Sequence, residues 1–412
     1  MNSLLMNLQD YPFERLAALK AGAIPPANLK HIALAIGEPK HAPPSFVLQV
    51  LRESLAGLSN YPTTAGTLEL RSACARWLER RFILPVQAVQ DSMVLPVNGT
   101  REALFSFAQA VINTQLENKK SSLKPLVVMP NPFYQIYEGA TLLAGADPYC
   151  IDTPVTNSFL PDLDTVPAKV WERCQLLYLC SPGNPAGAIM DEAYLQHALE
   201  LADRHDFLIA ADECYAEIYF DEARPPPSLL SAAYAAGRKN FERCVVFHSL
   251  SKRSSLPGLR SGFVAGDASV LKKFLLYRTY HGCAMPVPTQ LASIAAWNDD
   301  AHVRQNRALY REKFNRVIPI LSPHLEVQIP QGGFYLWPNL GREDTAFTRA
   351  LFATQNVTIL PGSFLARTPQ TNKNTHYANP GAQRVRISLV AELDECIAAA
   401  HRMANFIQGH TL

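Results

Sequence analysis

Short apolar runs that alternate with helical patterns constrain the fold of this chain more than any other feature of its sequence. Five such runs stand at 126–130, 176–180, 207–212, 244–249 and 262–265. A strand that is apolar on both faces must be covered on both sides, and helices do this in parallel α/β sheets. The sequence therefore predicts an α/β fold in which helices cover both faces of a large, mostly parallel sheet.

The two ends of the chain differ from its middle, because helices and short strands of α+β character alternate after residue 286. The predicted helices are 102–112, 134–144, 192–205, 289–298, 302–320 and 345–356, and the further strands are 325–329, 333–337, 357–360 and 385–390. We therefore predict a large domain over 61–285 and a smaller one over 286–412, with an N-terminal arm over 1–60 that forms part of the smaller domain. Polar segments at 114–125 and 367–383 are predicted as loops.

Charge and composition exclude several classes of protein. Lys and Arg number 38 against 36 for Asp and Glu, so the net charge of +2 gives no basic surface for nucleic acid. No apolar run reaches the roughly 18 residues of a membrane span, and the start lacks the basic segment of a signal peptide. We therefore expect a cytoplasmic protein. The eight cysteines show no C-x-x-C spacing, so we expect reduced thiols and no metal site.

Polar side chains stand where the predicted strands end. The turn SPGNPAG presents Asn184, the segment ADECY presents Asp212 and Tyr215, and HSLSKRSSLPGLR presents Lys252 and Arg260. Each segment alone is a common polar loop. Because groups at the carboxyl ends of parallel strands converge on one crevice, the sequence predicts that these side chains share a pocket.

One cofactor, pyridoxal 5′-phosphate, needs all of these groups. Its aldehyde needs a primary amine, which Lys252 supplies, and its pyridine nitrogen needs a carboxylate such as Asp212 to stay protonated. Asn184 and Tyr215 can donate to the ring oxygen. The phosphate needs hydroxyls, a cation and backbone amides, and the ring needs a flat apolar neighbour. The predicted cofactor site therefore also includes the hydroxyls of Ser249 and Ser251, the cation of Arg260, the backbone of Gly99, Thr100 and Arg101 in the NGTR turn, and the ring of Tyr134.

At this point the chain resembles the fold type I aminotransferases of class I and II. The matching blocks run in the order of that family and span most of the chain. They are IGEP at 36–39, YPTTAG at 61–66, NGT at 98–100, NPFYQIY at 131–137, SPGNPAG at 181–187, DECY at 212–215, SLSK with Arg260, and VRIS at 385–388. The resemblance implies that the domain over 61–285 binds pyridoxal 5′-phosphate.

The resemblance also assigns roles. Lys252 looks like the lysine that forms the Schiff base and shuttles the proton, with Asp212 and Tyr215 completing the catalytic set. Substrates would be small amino acids and 2-oxo acids, held at the α-carboxylate by Arg386, with Gly37 and Asn184 beside it; Arg384 competes for the arginine role. Tyr61 resembles a tyrosine that reaches the phosphate of a neighbouring subunit, which implies a homodimer.

Longer segments, such as DECYAEIYFDEA and KKFLLYRTYHGCAM, resemble bacterial succinyldiaminopimelate transaminases of lysine biosynthesis. Those enzymes exchange an amino group between glutamate and N-succinyl-2-amino-6-oxopimelate. Both substrates carry several carboxylates, so the pocket needs further cations, for which Arg278, His281 and Arg253 are candidates. The chain departs from these relatives at SSLPG, where they tend to have Asn before Pro, and in the loop at 367–383.

Other functions stay open. The same site could serve a broad aspartate, alanine or aromatic aminotransferase, or a carbon–sulfur lyase, which would release ammonia and pyruvate. A non-catalytic effector domain of a transcription regulator would need a DNA-binding head, and the family blocks begin near residue 36. A dinucleotide enzyme would need a G-x-G-x-x-G turn after an early strand, and none is present.

Overall fold

The helices and strands of the chain are described from a computed structural model, which covers residues 1–115, 123–368 and 379–409. Its helices are α1 Pro12–Lys20, α2 Ser45–Glu53, α3 Leu68–Arg81, α4 Thr100–Val111, α5 Gln135–Leu143, α6 Ala168–Trp171, α7 Glu192–His205, α8 Leu229–Ala235, α9 Leu250–Arg253, α10 Ala268–His281, α11 Val287–Asn298, α12 Ala301–Leu321, α13 Asp344–Gln355 and α14 Leu393–Gly409. Its strands are β1 Ile32–Ala33, β2 Val94–Val97, β3 Leu126–Asn131, β4 Asp147–Asp152, β5 Cys174–Cys180, β6 Leu208–Asp212, β7 Cys244–Ser249, β8 Gly262–Gly266, β9 Tyr335–Leu336, β10 Val357–Thr358, β11 Leu360–Pro361 and β12 Val385–Ser388. The central parts of both predicted loops, 116–122 and 369–378, lie outside the described residues.

Seven strands form the central sheet, in the order β2-β8-β7-β6-β5-β3-β4. The five strands from β7 to β4 are parallel neighbours, while β8 runs antiparallel to both β7 and β2. The register pairs Cys180 with Asp212 and Ser249 with Gly262. Because β5, β6 and β7 end at the same edge, the polar segments that follow them meet there.

Apolar side chains cover the sheet on both faces. Along β5, Leu177 and Leu179 pack into the core on one face, whereas Leu176 and Tyr178 pack into the core on the other. This alternation follows from the two-residue period of a strand, and it explains why the run is apolar throughout. The predicted fold class, a mostly parallel α/β sheet with helices on both faces, is confirmed.

Capping residues mark the ends of helices α7 and α10. The side chain of Asp191 accepts from the backbone N–H of Tyr194 at the start of α7, and Asp206 ends that helix in the left-handed conformation. Asp267 caps α10 in the same way as Asp191 caps α7. Within the described ranges, no helix combines the length and the apolar character that crossing a bilayer requires.

The two chain ends are joined by small sheets. Strand β1 pairs with β10, and β12 lies between β11 and β9. Their apolar residues form a core with α12, α13 and α14. Residues of α2 and α11, in contrast, pack into the core on one face of the central sheet. The division at residues 61 and 286 stays a prediction.

Some predicted strands differ from the observed ones. The strand predicted at 325–329 does not form, since Ile329 is 46% exposed and its neighbours are only partly covered. The strand predicted at 357–360 is divided between β10 and β11, which pair with different partners. The run that becomes β8 is antiparallel to β7, and 12 residues that include α9 connect the two strands.

Candidate active site

A cavity of about 640 Å³ opens at the edge of the central sheet where β5, β6 and β7 end. It brings together twelve of the residues predicted from the sequence: Gly37, Thr100, Arg101, Tyr134, Asn184, Asp212, Tyr215, Ser249, Ser251, Lys252, Arg260 and Arg386. Residues of the chain ends, including Tyr11, Phe13, Glu38, Tyr335 and Leu365, complete its wall.

Asp212 is a buried carboxylate at the end of β6, only 5% exposed. Its Oδ2 accepts from the hydroxyl of Tyr137 at 2.7 Å, and its Oδ1 accepts from the backbone N–H of Cys214 at 3.2 Å. Burial raises the pKa of Asp212, although the hydrogen bonds from Cys214 and Tyr137 favour the ionised form. A cation brought against this carboxylate would relieve the cost of its burial.

Lys252 lies in the short helix α9, which follows β7. Its Nζ donates to the carbonyl oxygen of Gly37 and lies 5.4 Å from the centre of the Phe334 ring. Burial lowers the pKa of Lys252 to about 8. The amine can therefore be neutral near neutral pH, as a nucleophile or a proton acceptor must be.

Hydrogen-bond donors gather where α4 begins. Gly99 precedes α4 with a φ of 90°, and no side chain caps the first backbone N–H groups of that helix. A Cβ at Gly99 would overlap the guanidinium of Arg260, so glycine is required for this close approach. Ser249 and Ser251 also line the cavity, and Oγ of Ser249 accepts from the backbone N–H of Ser251 at 3.1 Å. A helix N-terminus, a guanidinium and two hydroxyls make an anion-binding site.

Arg386 lies on β12 and is buried against the cavity. Its Nη1 donates to Oδ1 of Asn184 at 2.9 Å, and its Nη2 donates to the carbonyl oxygen of Ala35 at 2.8 Å. Its Nε is buried and has no hydrogen-bond partner among the described residues. Arg384, the competing candidate, instead donates to the carbonyl oxygen of Trp337 and does not line the cavity.

Two tyrosines connect the sheet edge to the chain ends. The hydroxyls of Tyr215 and Tyr335 lie 2.8 Å apart, and the guanidinium of Arg386 lies 4.5 Å from the centre of the Tyr335 ring. Burial raises the pKa of Tyr215 well above its ordinary value, so its hydroxyl keeps its proton. A Cβ at Gly37 would overlap the hydroxyl of Tyr335, which explains glycine at that position.

Tyr134 lies at the start of α5, where it can present its ring to the cavity. Its hydroxyl accepts from Nε of Arg101 at 2.7 Å. The guanidinium of Arg101 also lies 5.8 Å from the centre of the Tyr11 ring. Arg101 therefore connects the first turn of α4 to the N-terminal segment at the mouth of the cavity.

Besides Arg384, five residues considered from the sequence do not line the cavity. Gly99 stands just outside it, where it makes room for Arg260, and Tyr61 is fully exposed on this chain. Arg278 is buried and donates to both carboxylate oxygens of Glu102 at 2.7 Å. It is therefore neither a substrate cation nor a surface arginine.

Arg253 and His281 are also wrong as cations for the substrate. Arg253 is buried beside Trp297 and donates to Asp300 at 2.8 Å. His281 is exposed beyond the cavity, with Nδ1 2.8 Å from Sγ of Cys283. Neither position could be distinguished from sequence, because both depend on partners that tertiary packing supplies.

Sequence reasoning missed Tyr137 and Tyr335. Tyr137 stands in the NPFYQIY block, three residues after Tyr134, and helical spacing could have placed both on one side of α5. No local signal indicates Tyr335, because it belongs to a two-residue strand whose partner β12 lies about fifty residues further along the chain. The segment from Tyr11 to Phe13 was likewise unmarked in the sequence.

These residues fit pyridoxal 5′-phosphate. The uncapped start of α4 with Arg260, Ser249 and Ser251 suits a phosphate. The buried carboxylate of Asp212 suits a protonated ring nitrogen, and Lys252 suits the aldehyde. Tyr134, Asn184 and Tyr215 line the same cavity and suit the face and the hydroxyl oxygen of the ring. The donor set thus matches the three chemically distinct parts of the cofactor.

Comparison with known proteins agrees with this fit. Residues 30–398 match the family described as aminotransferase class I and II. The crystal structure of an aminotransferase from Neisseria meningitidis Z2491 is 48% identical, with a TM-score of 0.91, and the match covers 98% of this chain and 100% of that one. A probable N-succinyldiaminopimelate aminotransferase from Thermus thermophilus is 26% identical, with a TM-score of 0.82, over 95% of this chain and 99% of that one. An LL-diaminopimelate aminotransferase from Nitratidesulfovibrio vulgaris is 29% identical over 403 residues, 96% of each chain.

Proposed function

Since this chain belongs to the aminotransferases of class I and II, whose members use pyridoxal 5′-phosphate, we propose that it transfers an amino group between glutamate and N-succinyl-2-amino-6-oxopimelate. The family resemblance of the sequence is thereby confirmed at the level of a pyridoxal-phosphate aminotransferase. The choice of substrate and the roles of individual residues are our proposals.

The observation that carries the proposal is the unpartnered Nε of Arg386 in the cavity that also holds Lys252. Asn184 and Ala35 hold the guanidinium, and one buried N–H is still free among the described residues. The guanidinium can therefore bind a carboxylate by donating to it. Amino acids and 2-oxo acids both carry a carboxylate beside the reacting carbon. One arginine can therefore hold the substrates of both half-reactions in the same orientation.

The chain's own residues then have separate tasks. When bound, the cofactor supplies the aldehyde that takes up the amino group and a ring that withdraws electrons from the reacting carbon. Lys252, with its pKa lowered to about 8, can accept and return the proton at that carbon. Asp212 holds a proton on the ring nitrogen, and Tyr215 keeps its own proton to donate to the ring oxygen.

The choice of a diaminopimelate substrate rests on two supports. Relatives named for LL-diaminopimelate and for N-succinyldiaminopimelate match almost the whole chain. In addition, Arg101 is a cavity-lining cation that is left over once Lys252, Arg260 and Arg386 are assigned. A substrate with a second carboxylate would meet Arg101 at the mouth of the cavity, beside Tyr11.

We also propose a homodimer as the functional unit. Tyr61 is fully exposed on the single chain, and the exposed apolar side chains Leu55, Leu58 and Leu68 are near it in sequence. A second copy that covers this surface would bury apolar area and bring Tyr61 towards the partner's cofactor site.

A comparison of amino donors tests the substrate. With 2-oxoglutarate as acceptor, kcat/KM is measured for N-succinyl-LL-2,6-diaminopimelate, for LL-diaminopimelate and for alanine. We expect the succinylated compound to be the best donor. LL-diaminopimelate is the second candidate, because of the relative from Nitratidesulfovibrio vulgaris. Release of ammonia and pyruvate from a sulfur-containing amino acid, without a 2-oxo acid, would instead indicate a lyase.

A further inference from the structure

Three buried polar residues outside the cavity form a continuous chain of hydrogen bonds. Nζ of Lys313 lies 2.7 Å from Nε2 of His41, and Nδ1 of His41 lies 2.7 Å from Oδ1 of Asn306. Nδ2 of Asn306 donates to the carbonyl oxygens of Lys252 and Arg253 at 3.1 Å and 3.2 Å. Lys313, His41 and Asn306 are each at least nine-tenths buried. We refer to these three residues as the buried relay.

The direction of every hydrogen bond in the relay is fixed by chemistry. The carbonyl oxygens of Lys252 and Arg253 can only accept, so Asn306 presents its NH₂ group to them and its oxygen to His41. Nδ1 of His41 must then donate, which leaves Nε2 as the acceptor for Lys313. A protonated His41 would present a donor to the ammonium, so the relay requires neutral imidazole.

Other contacts confine His41 to this role. Its backbone carbonyl accepts from Oγ of Ser255 at 2.7 Å, so His41 is bonded to the lysine segment at two points. The Tyr310 ring lies against the imidazole, with centroids 4.5 Å apart. Glu392 and Cys396 face Lys313, and Glu392 also faces His41. Burial lowers the pKa of His41, which favours the neutral imidazole, and burial also lowers the pKa of Lys313.

Lys313 makes no ion pair with a carboxylate among the described residues; besides His41, its Nζ contacts the carbonyl oxygen of Val390 at 3.4 Å and lies 5.2 Å from the centre of the Tyr310 ring. Burying an ammonium without a carboxylate costs free energy, and these contacts offset part of that cost. In sequence, His41 lies four residues after Gly37, whose carbonyl accepts from Nζ of Lys252. The relay thus joins the segment that meets the lysine's amine to the backbone that carries the lysine.

We propose that His41 and Asn306 are positioning residues, which hold the backbone of the lysine segment so that Nζ of Lys252 stays aimed at the cavity. Lys313 fixes the tautomer of His41 and so the direction of the relay. The inference rests on the proposed role of Lys252 as the reacting amine. Neither residue touches substrate or cofactor, and both act through the backbone of Lys252.

The test is Asn306→Asp, which keeps the size of the side chain but cannot donate to the two carbonyl oxygens. Asn315→Asp is the matched control, because Asn315 is exposed on the same helix α12. We expect Asn306→Asp to lower kcat about tenfold, as when other residues that orient a reacting group without touching the substrate are changed. The KM for glutamate should stay within about twofold of the wild-type value. Independently of turnover, the pH midpoint for covalent attachment of pyridoxal 5′-phosphate to the apoprotein, read as intact mass after borohydride reduction, should move away from that of Asn315→Asp.

A second variant keeps the proposal testable if Asn306→Asp fails to fold. Lys313→Met replaces the buried ammonium with an apolar chain of similar length and leaves Nε2 of His41 without its donor. It should lower kcat less than Asn306→Asp and shift the same midpoint. If the folded variants match Asn315→Asp in kcat and midpoint, the relay is merely structural and the proposal is overturned. Turnover that survives in Lys252→Ala would instead refute the role of Lys252 itself, which separates the two failures.

Discussion

The floor and the rim of the cavity come from different parts of the chain. The floor consists of side chains at the ends of β5, β6 and β7 or just after them, namely Asn184, Asp212, Ser249 and Lys252. The rim consists of residues from the chain ends, namely Tyr11, Glu38, Tyr335 and Arg386. The floor holds groups suited to the cofactor. The rim holds the N–H of Arg386 that has no partner among the described residues, and the N-terminal segment that a substrate would meet.

This difference separates chemistry from selection. A floor residue acts on a cofactor that every substrate shares, so changing it should slow all substrates equally. A rim residue meets one part of one substrate, so changing it should affect only substrates with that part. Four substitutions test this division, from the largest expected effect to the smallest.

Replacing Lys252 should have the largest effect. In Lys252→Ala, kcat should fall by at least about a thousandfold for every amino donor, because the same amine bonds the cofactor and moves the proton. The borohydride-reduced protein should also lose the added mass of the cofactor. Lys272→Ala, on the exposed side of α10, is the control. Wild-type turnover in Lys252→Ala without added amine would contradict the role of Lys252 as the reacting amine.

Replacing Asp212 should come next. Asp212→Asn keeps the shape of the side chain and its contact with Tyr137, but it removes the charge that keeps the ring nitrogen protonated. The proton-abstraction step should slow by about a thousandfold, which is ~4 kcal/mol of barrier. Single-turnover spectroscopy with glutamate and with alanine measures this step. A loss of only two- or threefold in the folded, cofactor-loaded variant would contradict the role.

The floor was largely predictable from sequence because sheet geometry repeats along the chain. Once 176–180, 207–212 and 244–249 are recognised as neighbouring parallel strands, their ends have to lie at one edge of the sheet. The pairing of Cys180 with Asp212 shows that β5 and β6 end side by side. The two strands of the central sheet that the sequence did not reveal, β2 and β4, are its edges. Pro96 in β2 and the partly exposed residues of β4 weaken the apolar pattern that marks an inner strand.

The rim was harder to predict because its contacts join distant parts of the chain. The VRIS motif favours Arg386 over Arg384. The motif alone does not place the side chain of Arg386 in the cavity, because that depends on the pairing of β12 with β9 and β11. Arg278 shows the opposite case, since its partner Glu102 lies 176 residues away. Charge, spacing and helical position do not tell which arginine of a chain will find a carboxylate of its own.

Changing Arg386 should affect every substrate, although it lies on the rim, because all of them carry an α-carboxylate. Arg386→Lys loses the planar guanidinium that can bind a carboxylate through two N–H groups. The lower kcat/KM should correspond to a loss of about 2–3 kcal/mol in transition-state stabilisation, for glutamate and alanine alike. Arg384→Lys is the control, because Arg384 is two residues away and does not line the cavity. If Arg384→Lys had the larger effect, the wrong arginine of the pair would have been chosen.

The smallest effect is expected at Arg101, where floor and rim meet. Arg101 is the second residue of α4, so its backbone lies beside the proposed phosphate site. Its side chain reaches Tyr134 and Tyr11 at the mouth of the cavity. Arg101→Gln keeps the backbone and a donor for Tyr134 but removes the charge. Because the side chain is partly solvated, the loss should be about 1 kcal/mol, or about fivefold in kcat/KM.

That loss should be confined to substrates with a distal carboxylate, and the comparison of donors in Arg101→Gln decides it. Glutamate and N-succinyl-LL-2,6-diaminopimelate should both become poorer donors, while alanine, which has no second carboxylate, should keep its wild-type kcat/KM. Tyr134→Phe controls for an effect through the stacking ring, since it removes the hydroxyl that Arg101 contacts and leaves the cation in place. If alanine fell as much as glutamate, Arg101 would act on the cofactor and belong to the floor. If only Tyr134→Phe separated the donors, the selectivity would reside in the ring's position and not in the charge at the mouth.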